Sequence, residues 1–72
     1  MMPLAMVHRG RRVRLVTING GRGLQSKLAS MGLVPGVEME VVNSRLHGPF
    51  IVEAKGSRLM LGRGMVHRIL VE

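Results

Sequence analysis

The side chains able to bind a metal or move a proton are few and far apart. His8, His47 and His67 are the only histidines, and separations of 39 and 20 residues match no local metal-binding motif. The carboxylates are Glu38, Glu40, Glu53 and Glu72, with no aspartate and no cysteine beside them. Neither a paired-acid hydrolase site nor an all-protein iron site is well supplied by that set. Thr17, Ser26, Ser30, Ser44 and Ser57 offer hydroxyls, but a Ser-His-Asp arrangement needs an aspartate. The expectation is a protein that is not an enzyme, with no catalytic residue, no metal site and no cofactor.

One glycine-rich stretch precedes a helical pattern, at Asn19-Gly20-Gly21-Arg22-Gly23-Leu24-Gln25-Ser26-Lys27. A phosphate cradle would need a Gly-Lys-Ser/Thr ending, whereas Ser26-Lys27 runs in the reverse order with no glycine before it. The glycines read as a flexible helix entry. Arg22 and Arg63 raise a second thought, that of an arginine reaching into a partner's GTP site. An exposed arginine is more often a solvated charge.

What the chain has in excess is positive charge. Eleven Lys and Arg oppose four acidic residues for a formal +7, and Arg9, Arg11, Arg12, Arg14, Arg22 and Lys27 all precede the first acid, Glu38. An anionic partner is expected. The residue pattern also offers apolar contact candidates, Met60, Met65 and Leu46, since methionine adapts readily to a partner surface. Core filling accounts for them almost as well.

These residues need elements to hold them, and the chain organises itself around residues 27–42. Leu24, Leu28 and Met31 mark one face of a helix of about two turns, which Gly32 ends in a left-handed cap. With Met31 as the C-cap, Leu33 falls where it meets Leu28, the usual companion of a Schellman motif. Pro35-Gly36 then supplies a type II turn. A strand follows over 37–42, with Val37, Met39 and Val41 on one face. Similar alternation predicts strands over 11–18, 50–54, 58–61 and 66–71, with residues 62–64 as an interruption of one 3₁₀ turn. Residues 1–9 form an N-terminal arm in which Leu4 and Val7 dock on the core.

Five short strands and one short helix in 72 residues point to a mainly β fold, an SH3-like, partly open small barrel forming a single domain over 1–72. With Phe50 as the lone aromatic, the aromatic groove of peptide-binding SH3 domains has nothing to be built from. No apolar run approaches the ~18 residues of a membrane span. The location expected is cytoplasmic, without membrane insertion.

The pattern resembles the FeoA family, the small cytoplasmic component of the bacterial and archaeal ferrous-iron transport system. The residues that carry the resemblance are Leu4, Val7 and Gly10, then Ile18 with Gly20-Gly21, then the run from Leu28 to Gly36. Leu46-His47-Gly48-Pro49, Gly56-Ser57-Arg58-Leu59-Met60-Leu61 and Ile69-Leu70-Val71 complete it. Met31-Gly32-Leu33-Val34-Pro35-Gly36 is its most specific part. The resemblance implies an accessory and regulator that binds the cytoplasmic GTP-binding part of a FeoB-type transporter. It also implies a likeness to the C-terminal domain of metal-dependent repressors, without their DNA-binding and metal-binding segments. Gly62-Arg63-Gly64 departs from the short polar, often acidic helical turn of many members.

Candidate partner contacts are Arg22, Lys27, Leu46, His47, Gly48, Pro49, Gly62, Arg63 and Met65, with Gly32, Leu33, Pro35 and Gly36 as the turn and cap that hold the frame. Two rival readings stand beside this one. A small basic barrel would bind nucleic acid through its backbone, yet it lacks aromatic platforms for stacking. A self-associating structural module would form a homo-oligomer without another partner.

Overall fold

The computed structural model describes residues 1–44 and 48–72. Among the described residues six antiparallel strands form one sheet in the order β1-β6-β2-β3-β4-β5. In chain order they are β1 (Met2–Pro3), β2 (Arg12–Ile18), β3 (Glu38–Asn43), β4 (Phe50–Ala54), β5 (Ser57–Leu61) and β6 (Ile69–Val71). A 3₁₀ turn, Leu4–Met6, follows β1; helix α1 (Arg22–Ser30) joins β2 to β3, and helix α2 (Arg63–Val66) joins β5 to β6.

Alternation predicts the buried face well. Val13 and Leu15 on β2, Met39 and Val41 on β3, and Phe50, Val52 and Ala54 on β4 are all buried. In β2 a register shift between Leu15 and Thr17 changes the parity, so Ile18 rather than Thr17 turns inward. Among the described residues, every buried side chain is apolar.

The cap after α1 has both bonds of a Schellman motif. The Leu33 N–H donates to Leu28 O and the Gly32 N–H to Ala29 O, each at 2.9 Å, with Gly32 at φ 89°. Leu28 and Leu33 are both fully buried, which stabilises the junction by about 1.5–3 kcal/mol for each side chain. The next turn closes with the Val37 N–H on Val34 O at 3.2 Å, and Gly36 at φ 96° takes its third position.

Three expectations need correction. The count is six strands rather than five, because Met2 and Pro3 pair with Val71 and Leu70 as a short edge; Pro3 suits an edge, where a missing N–H costs least. Residues 62–66 form a turn of α-helix, not 3₁₀, with the Val66 N–H on Gly62 O at 3.3 Å. The last strand therefore starts at Ile69, not Val66. Val66 is fully buried, but from a helix, and its spacing from Arg68 and Leu70 mimics a strand. α2 packs against the Leu4–Met6 turn. These two pieces, which follow β5 and β1, span the gap between the unjoined ends of the sheet.

Candidate partner-binding surface

Two of the segments expected to meet a partner lie 15 residues apart, and one side chain joins them. The Arg63 guanidinium donates through Nη2 to Gly48 O at 3.2 Å. The neighbouring Pro49 is also held, since Asn43 Nδ2 donates to Pro49 O at 3.2 Å. Gly48, Pro49, Gly62 and Arg63 are thus brought together, with Met65 on the same short helix, partly buried against the core. Leu46 and His47 lie outside the described residues. Arg63 is only half exposed and is bonded to its own chain, which makes it a positioning residue for this loop more than a reaching finger.

Arg22 and Lys27 are exposed on α1, and no hydrogen bond among the described residues links them to residues 48–49 or 62–65. The same helix also walls a groove of about 330 Å³, through Gln25, Ser26 and Ala29 with Ile18, Leu33 and Val34. The glycine-rich entry to α1 closes on itself: Gln25 Nε2 donates to Gly20 O at 3.0 Å. A Cβ on Gly20 would come within 2.7 Å of Leu24 Cδ2, so this glycine makes room for the helix's own leucine.

The basic stretch is divided by strand parity. Arg12 Nε and Arg14 Nη2 both donate to the Glu38 carboxylate, at 3.4 and 3.2 Å. The bonds from Arg14 and then Arg12 hold that carboxyl below its ordinary pKa. The register continues the charges across the outer face, Arg12 opposite Glu40, Glu40 opposite Glu53, and Glu53 opposite Arg58, which donates to it at 3.3 Å. Arg12 and Arg14 of this basic stretch are therefore turned to carboxylates, and a duplex would meet three glutamates on that face.

Of the two apolar candidates among the described residues, Met60 is the exposed one, at 69%, and the sheet register sets it opposite half-buried Ile51. Ile51 was not singled out from the sequence, although the alternation of Phe50, Val52 and Ala54 implies that an aliphatic side chain faces outward there. Among the described residues no three His, Cys, Asp or Glu side chains gather as a metal site, and no helix is long and apolar enough to cross a membrane.

An open, antiparallel SH3-like barrel with one helix between its second and third strands is the class this architecture defines. A manganese-dependent transcriptional repressor shares that fold at 19% identity and a TM-score of 0.84, over 93% of this chain and 38% of the repressor. A profile of the FeoA domain matches residues 2–72, and the chain belongs to that family. A Methanocaldococcus jannaschii protein, provisionally named Fe(2+) transport protein A, is 38% identical over all 72 residues and 87% of its own length. The crystal structure of an iron uptake regulatory protein (FeoA) superposes with a TM-score of 0.90 at 37% identity, covering 99% of this chain and 93% of that one.

Proposed function

We propose that this protein is a non-enzymatic accessory of ferrous-iron uptake, acting in the cytoplasm by docking on the GTP-binding part of a FeoB-type transporter. Family membership and the name of the Methanocaldococcus relative support the iron-uptake role. The docking surface is residues 48–49 with 62–65, and the observation that carries it is the bond from Arg63 to Gly48, which presets two loop segments as one surface. Preorganisation of this kind removes part of the ordering cost of association.

The test is a titration of the isotopically labelled protein with the cytoplasmic portion of its cognate transporter at physiological salt. Saturable amide shifts at Gly48, Gly62, Arg63 and Met65 are expected, with affinity falling about tenfold in Arg63→Ala. Absence of shifts there, in the presence of the intact transporter as well, overturns the reading.

A further inference from the structure

The N-terminal arm is docked by two residues and turned outward by three. Leu4 and Val7 are 0% and 4% exposed, whereas Met1, Met2 and Met6 are 77%, 39% and 64% exposed. Since the core does not take these methionines, core filling does not account for them. Met2 and Met6 line one shallow depression with His8, Arg11 and Val13. Arg11 lines this depression, whereas Arg12 and Arg14 line another one together with Glu38. Exposed Arg9 stands two residues before it. Among the described residues the ion pairs engage Arg12, Arg14 and Arg58, and Arg9 and Arg11 have no carboxylate partner.

Flexible apolar side chains beside unpaired arginines complement a fluid, negatively charged and chemically nonspecific surface. We propose that this patch rests on an anionic lipid bilayer, with Met1, Met2 and Met6 at the boundary of headgroups and acyl chains and Arg9 and Arg11 at the phosphates. A three-residue 3₁₀ turn fixed to a folded core cannot insert as a helix, so the contact is peripheral and reversible. The patch adjoins α2, which packs against the Leu4–Met6 turn. Its residues are nonetheless not those of the proposed transporter surface, and protein-free vesicles test it alone.

The experiment is cosedimentation of the full chain with phosphatidylcholine vesicles, pure or doped with phosphatidylglycerol. Binding is expected only with the doped vesicles and falls with added salt. Arg9→Gln/Arg11→Gln weakens it about 25-fold, at roughly fivefold for each basic residue near an anionic surface. Met2→Ser/Met6→Ser weakens it about tenfold through lost apolar contact. Lys55→Gln/Arg58→Gln on the β4 to β5 hairpin removes the same charge and changes binding less than about twofold, since charges beyond a Debye length are screened. All six substituted side chains are exposed, and the amide spectrum checks that each variant folds. Three outcomes overturn the proposal: no sedimentation with doped vesicles, unchanged binding in the methionine variant, or equal losses in the two charge variants. Shifts at Met2 and Met6 on adding the transporter portion, with no vesicle binding, would reassign the patch to a protein.

Discussion

Arg63 Nη2 lies 3.2 Å from Gly48 O, and through that single bond a four-residue helix holds a loop that precedes it by two strands. Truncation in Arg63→Ala releases Gly48 without emptying the core, because Val66 and Met65 make the apolar contacts of α2. The expected loss of stability is about 0.5–1.5 kcal/mol. Amide relaxation at Gly48 is expected to show increased fast motion; an unchanged order parameter there would mean that Asn43 alone fixes the loop.

Gly32 is expected to be costly to replace for conformational reasons alone. Its φ is 89°, and a Cβ would meet nothing within 4 Å. Gly32→Ala should therefore lose about 1–2 kcal/mol in urea unfolding, with Gly32→Asn losing about half as much.

The β4 to β5 hairpin contains an avoidable strain. Ala54 pairs with Ser57, and the two residues between them, Lys55 and Gly56, both have positive φ, 52° and 79°. That is the pattern of a type I′ turn, which favours Asn-Gly. Lys55→Asn is expected to stabilise the fold by about 0.5–1 kcal/mol, raising the thermal midpoint without altering the sheet.

The charge ladder predicts an acid-sensitive increment. The folded-state pKa of Glu38 is lowered by hydrogen bonds from Arg14 and Arg12. Its contribution is therefore full above the unfolded carboxyl pKa, about 4.3, and is lost as pH falls through the lower folded value. Thermal midpoints of the parent and Glu38→Gln should differ by a small amount at neutral pH and converge in acid. A gap that persists at low pH would show that glutamine disturbs something besides the ion pairs.

The candidate surface was only partly legible. Its residues could be nominated from turns and exposed types, but the partner of Arg63 could not, since no pattern within residues 48–63 encodes a bond spanning 15 positions. Grouping Arg22 and Lys27 with that surface rests on charge, and no hydrogen bond among the described residues joins them to it. Met60 and Ile51 become neighbours only through the β4 to β5 register.

Local features of the fold were written in the chain because their causes are local. Alternation along β3 and β4 needs only the period of two, and the Gly32 cap needs only a residue without Cβ at the end of an apolar helical stripe. β1 and α2 are decided otherwise. Two residues carry no periodicity, so Met2 and Pro3 become a strand only because β6 offers an edge. Gly64 argues against a helix, with a glycine costing about 1 kcal/mol relative to alanine in a helix interior. The turn nevertheless forms, because it places Val66 in the core and closes the gap left between β5 and β1. Burial available only in the assembled barrel outweighs that local preference.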